Sequence, residues 1–399
     1  MATVLSGLDR LISDKSLQDK FKGNIGYLCH SASVTKDLEH GLVALQRTFG
    51  SRLKKIFGPQ HGFVTDVQDN MVESSHYVHP YFKLPVYSLY SETRIPTDEM
   101  LEGIDHLFVD LQDVGTRIYT YIYTMTLAVE ACTKKGIEVV ILDRPNPIDG
   151  VTLEGNILDP KYASFVGRHP MPVRHALTMG EVAQMHRKYW HNDAKNSKVT
   201  VIKMEGWKRE MSFESTKLPW VIPSPNLPTI EAAYTFVGTV LYEGTNISEG
   251  RGTTRSLEIL GHPKIESFGF HEKLKPVLEK ANLKGFSLRP LVFLPTFQKH
   301  AGIPTGGYQI HVTDRKTFEP WRLCQYLLRE MYAELGKDFK WKEPPYEYEF
   351  HQVPVDLING TDELRLWVEK RGTEEEYQAI MKKNQTQWQE QRKSILLYE

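Results

Sequence analysis

No stretch of this 399-residue chain stays apolar for the roughly 20 residues that a membrane-spanning helix requires. Neither sign of charge dominates: 49 Lys and Arg stand against 50 Asp and Glu. A global field that would recruit nucleic acid or an anionic membrane is therefore missing, though a local basic pocket is still allowed. Cysteine is scarce. Cys29, Cys132 and Cys324 lie far apart without metal-ligand spacing and read as reduced core thiols. Met1 to Lys22 carries charges throughout and has no leader pattern, so a cytoplasmic location is expected; a leader removed beforehand would leave the same sequence.

Several motifs are absent as well. No G-x-G-x-x-G follows the first apolar run and no G-x-x-x-x-G-K-[ST] occurs, so nothing licenses a dinucleotide or ATP. No G-x-S-x-G elbow supports a serine hydrolase. His30, His61, Asp110, Asp113 and Asp143 have the chemistry of metal ligands, but no His-x-x-x-His pair supports a metal site. Neither a cofactor nor a metal is expected.

What is present is the punctuation of an α/β protein. With 40% hydrophobic and 25% charged residues the composition is that of a globular chain long enough for two or three domains. Short apolar runs at Gly26 to Cys29, Lys55 to Gly58, His106 to Leu111 and Glu138 to Asp143 end in small or polar residues and read as buried parallel strands. Helical stretches are expected at Leu38 to Phe49, Thr97 to Glu102 and Tyr123 to Lys135, the last closed by Gly136. Trp321 to Leu335 and Glu374 to Ser394 read as further helices, and Gly302 to Gly307 as a loop, more readily an ordinary strand connection than one that closes over a cleft.

Ligands of open parallel sheets sit beyond the carboxyl ends of the strands. Four such ends carry polar clusters: His30-Ser31-Ala32-Ser33, Gly58-Pro59-Gln60-His61-Gly62, Gln112-Asp113-Val114-Gly115-Thr116-Arg117 and Asp143-Arg144-Pro145-Asn146. Singly, His61 reads more readily as a structural histidine and Asp143-Arg144 as a local ion pair; their convergence on one sheet edge is the stronger signal. The densest cluster lies elsewhere. Tyr242 to Arg255 packs two Glu, two Arg, one Asn, four Ser or Thr hydroxyls and three Gly into fourteen residues. Glycine lets backbone approach a ligand, and arginine offers a donor fork suited to a carboxylate. The competing reading is a solvated turn whose charges pair with one another.

These strings carry a specific resemblance. Phe57 to Phe63, Asp110 to Tyr121, Leu142 to Pro147 and Glu243 to Arg255 are similar to signature blocks of the NamZ-type exo-β-N-acetylmuramidases. Further matches in order run through Asp159 to Gly167, Trp207 to Arg209, Leu218 to Pro228, His311 to Arg315 and Gly360 to Arg365, covering almost the whole chain. The resemblance implies a Rossmann-like parallel-sheet N-terminal domain, placed at residues 1–230, and a smaller C-terminal α/β domain at 231–399, with a cleft between them. It implies release of terminal N-acetylmuramic acid from the non-reducing end of peptidoglycan fragments, with a small muropeptide or muramyl sugar as the partner.

Muramic acid carries a lactyl carboxylate, which asks for a guanidinium; Arg251, Arg255, Arg117 and Arg144 are the candidates. Tyr119, Tyr121 and Tyr242 offer stacking faces, and Asn146, Asn226, Asn246, Gln60, His61 and Asp143 offer polar partners. Glycoside hydrolysis ordinarily takes two carboxyl groups. Glu243 and Glu249 come first, with Asp113, Glu73 and Glu92 behind them. One departure stands out: members of the resembled family often have Glu where this chain has Gln60. An amide cannot serve as acid or base but can orient a water or a hydroxyl. The carboxyl group then lies elsewhere, Glu73 or Glu92 being examples; or the substrate differs; or the chain only binds its sugar.

Overall fold

A computed structural model describes residues 3–69 and 71–399. Among these residues ten strands form two sheets: β1 (Ile25–Cys29), β2 (Leu53–Gly58), β3 (Tyr77–Val78), β4 (Pro85–Ser88), β5 (His106–Asp110), β6 (Glu138–Leu142), β7 (Val199–Ile202), β8 (Ile259–His262), β9 (Phe286–Phe293) and β10 (Thr305–Val312). The larger sheet has the order β3-β4-β2-β1-β5-β6-β7, and all its pairings are parallel except β3 with β4. The smaller is antiparallel, in the order β8-β10-β9. The α/β class expected from the sequence is the one observed.

All five residues of β1 are buried, because helices cover both faces of the large sheet. One of these, Tyr121–Lys135, is buried along nearly its whole length and stops at Gly136, whose φ of 70° provides the left-handed C-cap. The chain steps outward from β1 through β2 to β4, then returns to the other side of β1 with β5. That reversal is the topological switch point, and the loops after β1, β2, β5 and β6 surround it.

The glycines of the expected loop at 302–307 turn out to lie partly inside β10. A Cβ at Gly307 would sit 1.9 Å from the Leu260 carbonyl oxygen, and one at Gly306 would sit 2.0 Å from that of Ile265. Close backbone approach, not loop freedom, demands glycine there. The expected helix from Glu374 to Ser394 is two, Glu374–Lys382 and Gln385–Lys393, broken where Asn384 takes a φ of 59°.

One apolar cluster runs from Leu28 and Phe57 through Tyr242 to Trp321 and Trp367, so the two sheets share a core. A second, containing Leu8, Leu42 and Leu45, covers the other face of the large sheet. The C-terminal segment folds back onto that sheet's edge. Trp388 stacks on Trp190, and the Tyr398 hydroxyl donates to Asp143 at 2.6 Å. The three cysteines are buried and unpaired. Among the described residues no helix is long and apolar enough to cross a membrane.

Candidate functional site

A pocket opens where the loops after β2 and β5 meet the segments 224–257 and 346–347. Gln60 and His61 come from the first loop, and Tyr119, Thr120 and Tyr121 lead into the buried helix behind it. The helix Ile230–Thr239 continues as a tighter turn, Val240–Gly244, which brings Glu243 to the wall. Arg251 follows on a sharp loop. Gly250 and Gly252, at φ 77° and 80°, flank it; a Cβ on either would come within 2.7 Å of backbone at Ile259 or Phe297. Only glycine fits both positions.

Arg251 joins two carboxylates. Its Nη2 donates to Glu243 and its Nε to Glu249 at 3.0 Å, while Lys299 Nζ donates to the other Glu249 oxygen at 2.8 Å. Burial works against the Glu249 charge, but Lys299 and Arg251 outweigh it and hold that carboxyl below its ordinary range. The Tyr346 hydroxyl donates to the second Glu243 oxygen at 2.7 Å. Arg251 Nη1 has no hydrogen-bond partner among the described residues.

The pocket is also lined by Glu347, a residue that sequence reasoning missed. It is 4% exposed and held at a φ of 45°. Gln60 Nε2 donates to one of its oxygens at 3.2 Å and the Tyr90 hydroxyl to the other at 2.8 Å. Thr120 donates to the Gln60 carbonyl oxygen at 2.6 Å, which fixes the amide with its nitrogen toward Glu347. Burial pushes the Glu347 carboxyl up to about 7; Tyr90, Gln60 and Arg94 oppose the rise, and the Glu243 charge adds to it. Pro344-Pro345-Tyr346-Glu347-Tyr348-Glu349 reads in sequence as a charged turn. Its one usable signal was an acidic residue set between tyrosines after a rigid Pro-Pro pair.

His61 is 2.8 Å from the Val67 carbonyl through Nδ1, which must therefore carry the proton, leaving Nε2 as an acceptor. Burial lowers its pKa to about 4, so the ring is neutral. Asn226 lines the same pocket, donating to the Gln68 carbonyl at 2.6 Å and accepting from Ser256. The rings of Tyr119 and Tyr121 lie 4.5 Å apart on the pocket wall.

Other expected site residues are committed elsewhere. Arg117, fully buried, donates to the carbonyls of Asn156, Met171, Ile358 and Asn359 and has no reach to a ligand. Arg144 forks onto Asp110, and Asp143 is taken by Thr178, Gly180 and Tyr398. Asn146 closes a turn between Leu177 and Ile148; Asn246 ties its loop to Asp338 and Lys340. Asp113 accepts from the Gly115 amide at 2.7 Å in a turn and lies 3.3 Å from His175. Tyr242 is buried, with its hydroxyl on the Cys324 carbonyl. Arg255 is half exposed beside Glu258. Of the reserve carboxylates, Glu92 is exposed, and Glu73 is exposed between Arg94 and Tyr348; neither lines the pocket. The strand-end loops thus converge as expected, but only those after β2 and β5 reach the pocket.

The comparisons with known proteins agree with this architecture. The family model for the N-terminal part of the exo-β-N-acetylmuramidase NamZ matches residues 25–231, and that for the C-terminal part matches residues 234–398. The chain belongs to the NamZ family. The peptidoglycan β-N-acetylmuramidase NamZ of Bacillus subtilis is 40% identical over 395 residues, covering 99% of this chain and 91% of that protein. Crystal structures of two DUF1343 family proteins from Bacteroides fragilis are each 28% identical and superpose with TM-scores of 0.87 and 0.74. The first match covers all of both chains; the second covers all of this chain and 99% of the other. Within this NamZ chain the two family models meet at the helix Ile230–Thr239, which carries one wall of the pocket.

Proposed function

We propose that this NamZ-family chain is an exo-β-N-acetylmuramidase: it hydrolyses the glycosidic bond behind a terminal β-N-acetylmuramic acid at the non-reducing end of peptidoglycan fragments, in cell-wall turnover. The observation that carries this reading is the near-full-length likeness to a peptidoglycan β-N-acetylmuramidase, in a chain whose pocket is lined by two carboxyl groups, Glu243 and Glu347. Such a pair is what glycoside hydrolysis uses.

The pocket chemistry suits the sugar. Tyr119 offers a ring face, His61 Nε2 and Asn226 offer polar partners, and Arg251 Nη1 offers a donor to the lactyl carboxylate. Glu243, gripped by Arg251 and Tyr346, faces the positive charge that develops at the anomeric carbon as the bond breaks. Glu249 sits behind Arg251 and orients it. The substrates are small muropeptides and muramyl sugars, and the enzyme works in the cytoplasm.

The test is chromophore release from the aryl β-glycoside of N-acetylmuramic acid, run beside the matching N-acetylglucosamine glycoside. Turnover confined to the muramyl compound is the expected result. Equal turnover of both would remove the lactyl group from the recognition, and binding without turnover would make the chain a muropeptide-binding protein.

A further inference from the structure

Resting on the muramidase reading above, we propose that Glu347 is the proton donor to the glycosidic oxygen, and that Gln60 and Tyr90 are the positioning residues that aim its carboxyl group. Of the two carboxyl groups lining the pocket, Glu243 receives a guanidinium, whereas the Glu347 side chain receives an amide and a phenol. A carboxyl group held by neutral donors in a buried wall can keep its proton, whereas a carboxylate paired with a guanidinium has that cation, not a bridging oxygen, as its partner. Glu249 lies between Arg251 and Lys299 and is unsuited for the same reason.

The geometry also explains Gln60. With Thr120 fixing its oxygen, its nitrogen is 3.2 Å from Glu347. A glutamate at position 60 would set two carboxyl groups at hydrogen-bond distance, where they would share one proton. Gln60 instead leaves a single acid in this wall. The chain brings that acid on the segment after Pro344-Pro345, whose Tyr346 at the same time binds Glu243, so one short segment places both catalytic groups.

The charged and titratable groups around Glu347 are Glu243 in the same pocket, Arg94 and Tyr90 from the segment after β4, and Lys342 and Tyr346 on its own segment. Arg94 is held over the Tyr348 ring, 3.0 Å from its centroid. Their combined effect, with burial largest, leaves the carboxyl near neutrality, the range suited to a general acid.

In the reaction the Glu347 carboxyl gives its proton to the bridging oxygen as the bond from the anomeric carbon to that oxygen breaks. The bond's electron pair stays with the oxygen, which leaves as a sugar hydroxyl. One water is consumed: its hydroxyl goes to the anomeric carbon, and its second proton restores the Glu347 carboxyl. No oxidant, reductant or cofactor enters the balance.

The experiment compares the wild type and Glu347→Gln on two muramyl substrates. One is a disaccharide with a sugar leaving group, which needs protonation; the other is the 2,4-dinitrophenyl β-glycoside, which does not. Glu347→Gln is expected to lose about 10²- to 10⁴-fold on the disaccharide and no more than about tenfold on the dinitrophenyl glycoside. The fall in wild-type kcat/KM for the disaccharide as pH rises through about 7 should be missing from the profile on the activated substrate. Undiminished binding of free muramic acid by the variant checks that its pocket is intact. Equal losses on both substrates, or none on either, would overturn the assignment while leaving the muramidase reading in place. A wild type inactive on both would overturn the reading and the assignment with it. Gln60→Ala removes a donor that favours the charged carboxylate, so the basic limb should move to higher pH, with kcat reduced more than KM is changed. An unmoved limb would remove Gln60 from its positioning role.

Discussion

Arg117 and Arg251 are both buried guanidiniums set in polar, glycine-bearing strings, and the structure gives them opposite work. Arg117 meets four carbonyl oxygens and no carboxylate, and burial drives its pKa down to about 10. It fastens the strand-end loop to residues 156, 171 and 358–359, which belong to both halves of the chain. Arg251 is equally buried, but Glu243 and Glu249 outweigh the burial and hold it firmly charged. A guanidinium ringed by carbonyls is a fastener. One that pairs with carboxylates on a pocket wall, as Arg251 does, is what we propose as part of the site.

The largest effect is expected from breaking the fastener. Arg117→Met leaves four buried carbonyls without a donor, at a cost of about 5 kcal/mol of stability, read as a large fall in Tm. The activity of whatever fraction remains folded should be close to that of the wild type. Glu243→Gln should do the reverse: kcat/KM falls about 10³-fold, equivalent to about 4 kcal/mol, with Tm within a few degrees of the wild type.

A pair of carboxyl groups sharpens the contrast. Glu249 is held below its ordinary range by cations, whereas burial pushes the carboxyl of Glu154, which accepts from the Arg322 backbone amide at 3.0 Å, up to about 8. Because the folded protein keeps the Glu154 proton more tightly than the unfolded chain, this residue makes stability fall as pH rises from about 4.5 to about 8. Glu154→Gln has no proton to lose, so denaturation curves should show it gaining on the wild type across that window, by about 1.4 kcal/mol per pH unit. The smallest effect is that of Tyr398→Phe, which frees Asp143 from the C-terminal residues. A loss of about 1 kcal/mol is expected in urea titrations, with activity unchanged.

The buried strands β1, β2, β5 and β6 were legible because helices on both faces force continuous apolar runs, and each was found to within two residues at its start. β4 and β7 were not. Pro85-Val86-Tyr87-Ser88 begins with a residue that punctuates loops, and Val199-Thr200-Val201-Ile202 is too short to separate from a helix fragment by periodicity. The site was half legible. Gln60, His61, Tyr119, Tyr121, Asn226, Glu243 and Arg251 all line the pocket, because strand-end position and side-chain chemistry pointed the same way. Arg117, Arg144, Asp143 and Asn146 shared those signals but serve the framework, since a sequence does not show which carbonyls or carboxylates will fill a donor fork. Glu347 was missed for the opposite reason: it reaches the pocket from about 290 residues beyond Gln60, and only tertiary contact gives it meaning.

The most direct test of the account follows product release from two disaccharides, one with N-acetylmuramic acid at the non-reducing end and one with N-acetylglucosamine there, using the wild type and Glu243→Gln. Free muramic acid is expected from the first disaccharide with the wild type and none from the second, with a loss of about 10³-fold in the variant. Release from the second disaccharide, or a Glu243→Gln variant as active as the wild type, would contradict it.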